Sequence, residues 1–348
     1  MPRARTFAIS AAAGLGAALA LRARQRHDAR QYSFHGRTVA ITGGSRGLGL
    51  VLAREFAQEG ARLALLARDR AELDRAAREL TARGAEVLTI ICDVRDRADV
   101  QAAVARIIEH YGTLDVLVNN AGVISSGPVE HLGLADFDNA LDVHFHGPLY
   151  TMLAALPHFR RQGGGRVVNI ASIGGLIAVP HLLPYSASKF ALVGLSDGMR
   201  AELARDNILI TTVCPGLMRT GSPPNVLIKG RHRAEYAWFA LADALPGLTI
   251  AADRAARQIV EACRRGDPAL TITLPARAAA LANALSPRLT ARALALVNRL
   301  LPKPTGPAGD IAQTGWQSQS PLAPSPLTHL SDVATLANNE VPDQATLA

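Results

Sequence analysis

From residue 38 onward, short and continuous apolar runs alternate with longer segments whose apolar residues recur every three to four positions. The runs have the length and composition of buried β-strands, and the longer segments have the spacing of helices that bury one face. The predicted strands are 38–42, 63–67, 87–91, 115–118, 166–170, 208–214 and 270–274, and the clearest helices are 50–58, 71–83 and 100–110.

Seven apolar strands separated by helices indicate one fold class. Strands that read as continuous apolar runs are typical of parallel sheets covered by helices on both faces. Right-handed crossovers then wind the chain around both sides of the sheet. We therefore expect an α/β fold, a doubly wound Rossmann-type parallel sheet of about seven strands, over residues 36–274.

Three segments interrupt or follow this alternation. Residues 221–250 come after the sixth predicted strand and carry several aromatic residues, as expected of an insert that covers a substrate. Residues 275–301 predict amphipathic helices interrupted at Ser286-Pro287, which either cap the core, the interpretation we favour, or form a hairpin against a partner or a membrane. Residues 302–348 are rich in Pro, Ser, Gln and Asn, which predicts a mobile tail.

The N-terminal leader, residues 1–35, is basic and apolar. Its stretch 7–21 has no charged residue, and as a helix it would be ~22 Å long, shorter than a ~30 Å hydrocarbon core. Arginines on both sides could extend its reach, so we interpret it as a membrane anchor that leaves the main domain on the cytoplasmic side. The alternatives are a signal peptide cleaved near Ala18-Leu19-Ala20 and a disordered or surface-packed leader.

Charge and cysteine content exclude several functions. The formal charge is +8, but residues 1–30 hold six arginines against one aspartate, which leaves an ordinary +3 for the rest. No basic stripe is interleaved with aromatic residues, so we do not expect nucleic-acid binding. The cysteines, Cys92, Cys214 and Cys263, have no metal-ligand spacing and predict small core residues in a reducing, cytoplasmic compartment.

A glycine-rich string, TGGSRGLG, joins the first predicted strand to the first helix over residues 42–49. Such a turn brings the backbone and the positive end of a helix dipole close to a pyrophosphate. It predicts a dinucleotide site that includes Gly43, Ser45, Arg46, Gly47, Leu48 and Gly49. The string also matches the Gly-x-Ser-x-Gly elbow of hydrolases. That alternative is disfavoured because only one strand precedes it and no earlier loop offers an oxyanion hole.

Two arginines favour NADP(H) over NAD(H). An NAD site places an acidic residue at the end of the second strand to accept a hydrogen bond from the ribose 2′-hydroxyl. This chain has Ala67 and Arg68 there. Arg68 and Arg46 could instead bind a 2′-phosphate.

A tyrosine and a lysine four residues apart carry the candidate chemistry. The chain has only three lysines, and one of them, Lys189, follows Tyr185 at this spacing. A neighbouring ammonium favours the phenolate and lowers the pKa of the phenol. A phenol tuned toward neutrality can exchange a proton with a carbonyl or alcohol oxygen. Ser172 could donate a hydrogen bond to the same oxygen.

Together these residues resemble the short-chain dehydrogenase/reductase family, from about Gly36 to about Leu274. The motifs that carry the resemblance occur in the family's order: the glycine string, Asp93-Val94, Asn119-Asn120-Ala121-Gly122, Ser172, Tyr185-x-x-x-Lys189, and Pro215-Gly216 with Thr220. The resemblance also implies a homo-oligomer, a dimer or a tetramer.

The resemblance further implies a role for each motif. Asp93 and Val94 would hold the adenine, and Asn120, Ala121 and Gly122 would line the cofactor channel. Tyr185 would be the proton donor or acceptor, Ser172 would polarise the substrate oxygen, and Lys189 would bind the nicotinamide ribose and lower the tyrosine pKa. Pro215, Gly216 and Thr220 would position the nicotinamide carboxamide.

One position departs from the family pattern. Where members commonly have an asparagine that is thought to hold a proton-relay water, this chain has His144. Imidazole can both donate and accept, so we hypothesise that His144 holds that water, with altered pH dependence. The alternative is a packed helix residue. We expect no metal site, because His144 and His146 point to different faces of a helix and no third ligand has suitable spacing.

Apolar segments near the candidate site suggest the substrate. Residues 173–184 are almost entirely apolar, and the insert adds Tyr236, Trp238 and Phe239. If these line the pocket, the substrate is a hydrophobic ketone or aldehyde and its alcohol. We therefore predict an NADP(H)-dependent oxidoreductase. The alternative is a membrane-tethered nucleotide-binding protein without turnover.

Overall fold

The computed structural model describes residues 32–245 and 247–341. The apolar stretch 7–21, with its interpretation as a membrane anchor, lies outside the described residues. So do the last seven residues of the predicted tail, 342–348.

Seven parallel strands form the central sheet, in the order β7-β6-β5-β4-β1-β2-β3. The strands are β1 Thr38–Thr42, β2 Arg62–Ala67, β3 Val87–Ile91, β4 Val116–Asn119, β5 Gly165–Ile170, β6 Ile208–Pro215 and β7 Ala269–Ile272. The order reverses beside β1, which makes a crevice at the strand carboxyl ends the expected ligand site. The predicted fold class is confirmed.

Helices cover both faces of this sheet. Along the described residues the α-helices are α1 Gly47–Gln58, α2 Arg70–Ala82, α3 Arg97–Tyr111, α4 Leu134–Leu141, α5 Gly147–Arg161, α6 Leu183–Leu203, α7 His232–Ala244, α8 Ala252–Arg265, α9 Leu274–Leu285, α10 Pro287–Leu300 and α11 His329–Ala337. Val39 and Ile41 of β1 pack with α1, α2 and α8, whereas Ala40 packs with α3 and α5. Because successive side chains of a strand point to opposite faces, β1 contributes to the hydrophobic cores on both sides of the sheet.

The insert, residues 221–250, has a small core of its own. Its helix α7 contributes Tyr236, which packs with Val226, Ile228 and Ala323. A three-stranded sheet joins the insert to the remainder, because Leu227–Ile228 lies between Ser125–Ser126 and Gln313–Thr314. The insert is therefore fixed by residues from the C-terminal region.

Residues 302–341, for which the sequence predicts a mobile tail, pack against the body of the protein in the structure. Helix α11 packs against the insert, where the Ser331 hydroxyl donates to the Asp243 carboxylate (3.1 Å). Ala323 is completely buried. Composition suggested disorder because the segment has few large apolar residues, but its serine, threonine and asparagine side chains form specific hydrogen bonds with the body.

Helices α9 and α10 are separated by Ser286 alone and contact each other; we call this helix pair, residues 274–300, the hairpin. Within it only Ala276 is buried, so the hairpin does not cap the core as we favoured from the sequence. It is tied to the body by hydrogen bonds such as that from the Asn283 amide to the Leu176 carbonyl (3.1 Å). No helix in the described ranges combines the length and the apolar character needed to cross a bilayer.

Candidate active site

A cleft of about 720 Å³ opens at the carboxyl ends of β1, β4, β5 and β6. Every residue predicted for the site lines it, with the exception of Gly49. Those residues are Gly43, Ser45, Arg46, Gly47, Leu48, Arg68, Asp93, Val94, Asn120, Ala121, Gly122, His144, Ser172, Tyr185, Lys189, Pro215, Gly216 and Thr220. The structure thus gathers residues from the whole sheet into one crevice.

The glycine loop is a cradle without room for side chains. Gly43 has φ +63°, and a Cβ added there would lie 2.9 Å from the Ala121 Cα. A Cβ at Gly49 would overlap the Gly43 carbonyl oxygen, so Gly49 supports the loop from beneath. The Asn120 side chain donates to the Gly43 carbonyl (3.1 Å) and fixes the turn. Backbone exposed in this way at a helix N-terminus fits a dinucleotide pyrophosphate.

Charged groups surround the outer end of the cleft. Arg46 lies between two carboxylates, Glu72 (3.2 Å) and Glu340 (3.5 Å). Arg68 is exposed at the same end. The guanidinium of Arg95, which forms an ion pair with Asp93 (2.6 Å), holds the pKa of that carboxyl below its usual value. Burial raises the pKa of Glu340 to about 7, although Arg46 opposes the shift.

Ser172, Tyr185 and Lys189 lie together on the opposite wall. Tyr185 and Lys189 share one face of α6 because they are four residues apart. The Lys189 ammonium donates to the carbonyl of Ile170 at the end of β5 (2.8 Å) and lies 5.6 Å from the centre of the Tyr185 ring. A Cβ added at Gly174 would be 3.1 Å from Tyr185 Cε1 and 3.4 Å from Ser172 Oγ, so both side chains flank that glycine.

The proton affinities differ from the sequence prediction. Burial raises the pKa of Tyr185, and the hydrogen bond with Ser172 only partly offsets this. Burial also lowers the pKa of Lys189 to about 7. The expected lowering of the tyrosine pKa by the ammonium is therefore wrong for this structure. Removing both groups from water disfavours the charged form of each, and a lysine whose pKa is about 7 is only partly charged at neutral pH.

His144 makes two buried contacts with the protein. Its Nε2 accepts a hydrogen bond from the Val123 N–H (3.1 Å), and its Nδ1 lies 2.8 Å from the Ser188 hydroxyl. That hydroxyl itself donates to the Tyr185 carbonyl (2.9 Å), which leaves its oxygen to accept from Nδ1–H. Burial and, to a lesser extent, Lys189 lower the pKa of His144 well below its usual value.

These contacts contradict the hypothesis that His144 holds a relay water. Both nitrogens of the neutral ring are already engaged, so neither remains for a water molecule. His144 lies in a π-helical turn, Asp142–His146, and its ring packs edge-on against Tyr185 with centroids 5.4 Å apart. The packed-residue alternative is the one that the geometry supports.

Apolar residues that the sequence did not single out contribute to the cleft lining, among them Ile124, Val143, Met218, Val226 and Leu227. The predicted residues Leu48 and Val94 add further apolar surface. The predicted aromatic residues lie elsewhere: Tyr236 is buried inside the insert, and Trp238 donates to the Glu235 carboxylate (2.7 Å). The stretch 173–184 does not line the cleft either. Aromatic content did not reveal which residues of the insert face inward.

Glu72, Asn225 and Glu340 also line the cleft and were missed. No local sequence signal could place Glu340 beside Gly47, because they come from opposite ends of the chain. In the described part of the chain, no group of His, Cys, Asp and Glu side chains is arranged to bind a metal ion. Cys92, Cys214 and Cys263 are buried and free.

Comparisons with known proteins agree with this geometry. The family model for short chain dehydrogenases matches residues 37–226. The chain is similar to the oxidoreductase UcpA of Salmonella typhimurium, 40% identical over 186 residues, which cover 53% of this chain and 70% of the relative. It is also similar to the putative oxidoreductase SadH of Mycobacterium tuberculosis, 34% identical over 252 residues, which cover 71% and 89% of the two chains.

Solved structures show the same fold. L-sorbose reductase from Gluconobacter frateurii, crystallised with NADPH and L-sorbose, superposes with a TM-score of 0.63 and 26% identity, covering 69% of this chain and 96% of that one. Levodione reductase superposes with a TM-score of 0.59 and 30% identity, covering 69% and 97%.

Proposed function

The chain belongs to the short-chain dehydrogenase family, and on that premise we propose that it is an NADP(H)-dependent oxidoreductase that interconverts an apolar ketone or aldehyde and its alcohol. One observation carries the proposal. Ser172, Tyr185 and Lys189 meet on one wall of a cleft whose other end is a glycine cradle at a helix N-terminus. The oxidoreductase names of the relatives support the same reaction class.

The residues present fit a nicotinamide dinucleotide. The cradle at Gly43 and Gly47 would take the pyrophosphate, and Asp93 and Val94 would take the adenine. Asn120, Ala121 and Gly122 would line the channel, and Pro215, Gly216 and Thr220 would contact the nicotinamide end. When bound, the dinucleotide supplies or accepts the hydride. Arg68 at the outer end supports NADP(H), as does the NADPH in the related L-sorbose reductase.

Tyr185 is the proposed acid and base. In the reducing direction its phenol gives a proton to the carbonyl oxygen, and in the oxidising direction the phenolate takes it back. Its raised pKa keeps the proton in place at neutral pH, which suits reduction. Ser172 donates a hydrogen bond to the same oxygen and holds it against Tyr185. Lys189 anchors the catalytic face of α6 through the Ile170 carbonyl and supplies positive charge below about pH 7.

The lining of the cleft indicates the substrate class. Ile124, Val143 and Val226 present apolar surface within the cleft that Ser172 and Tyr185 also line. Desolvating an apolar ketone there is favourable, whereas a sugar would leave hydroxyl groups without partners. We therefore propose aliphatic or alicyclic carbonyl substrates.

Two further expectations remain proposals. We infer a homo-oligomer from the family. We place the catalytic domain in the cytoplasm, held at the cytoplasmic face of a membrane, from the arginines that flank residues 7–21.

Oxidation of NADPH by the purified full-length chain tests the function. We expect turnover with alicyclic and medium-chain ketones, and little with a ketose sugar of similar size. Turnover of the sugar alone would contradict the apolar substrate class. NADPH binding without turnover of any carbonyl would favour the non-enzymatic alternative, a nucleotide-binding protein.

A further inference from the structure

The hairpin of α9 and α10 presents leucines to solvent. They recur with one spacing, seven and then four residues, at Leu274, Leu281 and Leu285 in α9 and at Leu289, Leu296 and Leu300 in α10. At ~3.6 residues per turn this spacing puts the leucines of each helix on one face. All six are between 60% and 81% exposed. Apolar surface concentrated in this way is typical of an interaction site rather than of a solvated face.

The charged residues of the hairpin are all cations. Asp and Glu are absent between Asp267 and Asp310, whereas the same stretch holds Arg277, Arg288, Arg292, Arg299 and Lys303. In α10 the arginines follow a stripe next to the leucine face, since Arg288 and Arg299 directly precede Leu289 and Leu300. Arginines beside an apolar face can extend along it and reach anionic head groups.

We propose that the hairpin docks on the surface of an anionic lipid bilayer. Its helices of 12 and 14 residues are too short to span a membrane, but they suit the interface between head groups and acyl chains. The leucines enter the acyl boundary, and the arginines pair with lipid phosphates. A second copy of the chain fits less well. A two-fold contact would bring two arginine stripes together without carboxylates to neutralise them.

A local fluorescent probe tests the docking independently of the N-terminal leader. Leu296→Cys in the full-length chain, labelled with a polarity-sensitive dye, reports on the hairpin, because the native cysteines are buried. Leu134→Cys, at a leucine outside the hairpin that is 83% exposed against 60% for Leu296, is the control. With phosphatidylcholine vesicles that contain phosphatidylglycerol, we expect a blue shift from the dye on the hairpin and none from the dye on the control variant.

The charge requirement gives the second arm of this test. The shift should weaken in high salt, and it should be lost when Arg288, Arg292 and Arg299 are replaced by Gln. No shift with anionic vesicles would overturn the proposal. A shift without lipid that grows with protein concentration would also overturn it, because a second copy would then be the occupant.

A second and independent observation concerns the C-terminal segment Asn338-Asn339-Glu340, which we call the strap. It lies on the glycine loop. The Gly47 N–H donates to the Asn338 carbonyl (2.9 Å), and the Asn339 amide donates to the Ser45 carbonyl (2.9 Å). A Cβ at Gly47 would overlap the Glu340 carboxylate.

The strap also binds residues that lie across the cleft from the glycine loop. The Asn225 amide of the insert donates to the Glu340 carboxylate (2.7 Å), and the Asn338 amide donates to the Thr220 carbonyl (3.0 Å). Arg54 of α1 binds the Asn338 side chain (2.9 Å). The strap therefore bridges two sides of the cleft at its phosphate end.

We propose that opening of the strap controls exchange of the dinucleotide, a proposal that rests on the cofactor proposed above. The Gly47 N–H is a helix N-terminal group available to a phosphate, but the closed strap already occupies it. The Glu340 carboxylate beside it repels a phosphate. Cofactor therefore enters only after the strap has lifted from the glycine loop, and the strap closes again once cofactor has left.

Truncation of the chain tests this regulatory role of the strap. A stop codon in place of Asn338 removes the strap and keeps α11, and a stop codon after Val341 is the matched control that keeps the strap. We expect NADPH association, followed by stopped-flow fluorescence, to be about tenfold faster or more without the strap, because the strap no longer occupies the Gly47 N–H. Hydrogen exchange at Gly47 should also accelerate without cofactor.

The outcomes separate the two proposals. Equal association rates for both truncations would overturn the regulatory role of the strap and leave the cofactor proposal standing. No NADPH binding to either protein would overturn both.

Discussion

The imidazole Nδ1 of His144 lies 2.8 Å from the hydroxyl of Ser188, the residue immediately before Lys189. Through its other nitrogen the same ring binds the Val123 N–H, beyond the end of β4. His144 therefore connects the β4 loop to the catalytic face of α6. Its position indicates a positioning residue, which acts by holding Tyr185 and Lys189 in place.

Replacing His144 separates positioning from proton relay. His144→Ala leaves the Val123 N–H without its partner and opens a cavity, so we expect unfolding to become easier by ~2–4 kcal/mol. His144→Asn can restore part of the hydrogen bonding and should keep kcat within about tenfold. The pH profile of kcat should not move in the Asn variant. A profile shifted by a full pH unit would instead indicate that His144 takes part in proton transfer.

Burial of Lys189 predicts a stability that depends on pH. Its pKa falls from 10.5 to about 7 on folding, so the folded protein binds fewer protons than the unfolded chain between these values. Stability from this group therefore rises with pH across that window, by ~1.4 kcal/mol per unit, and is lowest below about pH 7.

Thermal melts of Lys189→Met check this sign. The variant lacks the buried charge, so its melting temperature should exceed that of the wild type at pH 6, and the difference should shrink toward pH 10. Loss of the hydrogen bond to Ile170 reduces the gain by ~1 kcal/mol. A difference that grows with pH would show that the charged form is stabilised on folding.

Arg68 should determine the choice between cofactors. Arg68→Ala removes a charge from the outer end of the cleft, so the Kd for NADPH should rise about tenfold or more, while that for NADH stays unchanged. Arg70→Ala, at an exposed arginine of α2 that does not line the cleft, is the control. Equal losses for both cofactors would refute a 2′-phosphate contact.

Two glycine variants distinguish loss of the dinucleotide cradle from backbone strain. Gly43→Ala places a Cβ 2.9 Å from the Ala121 Cα at a positive φ, whereas Gly84→Ala has a positive φ but nothing within 4 Å. Both variants should lose ~1–2 kcal/mol of stability from the strained φ. Only Gly43→Ala should also weaken NADPH binding, measured by fluorescence titration. Similar binding by the two variants would argue against a dinucleotide cradle at this turn.

The sequence predicted the sheet well because buried parallel strands are continuous apolar runs. Each predicted strand overlaps an observed one, with ends that differ by at most two residues. The site could be predicted equally well, because its residues follow directly after strands whose carboxyl ends meet in one crevice. Gly43, Asn120 and Ser172 all lie at such positions.

The properties that could not be predicted from the sequence depend on burial and on contacts between residues that are distant in the chain. The pKa of Tyr185 reflects how much water the fold removes, which a Tyr-x-x-x-Lys spacing does not encode. Glu340 reaches Gly47 only because the tail folds back over the insert. The same limit applies to the aromatic residues of the insert, since packing alone decides that Tyr236 points away from the cleft.

Single-turnover kinetics of Tyr185→Phe test the central claim that Tyr185 exchanges a proton with the substrate oxygen. The phenol lies beside Ser172 and Lys189, so loss of its hydroxyl should remove the proton without disturbing the cofactor end of the cleft. We predict that the Kd for NADPH is unchanged. With a ketone that the wild-type enzyme reduces, the rate of NADPH oxidation should fall by ~10²–10⁴-fold. Oxidation at the wild-type rate would contradict the proposed mechanism.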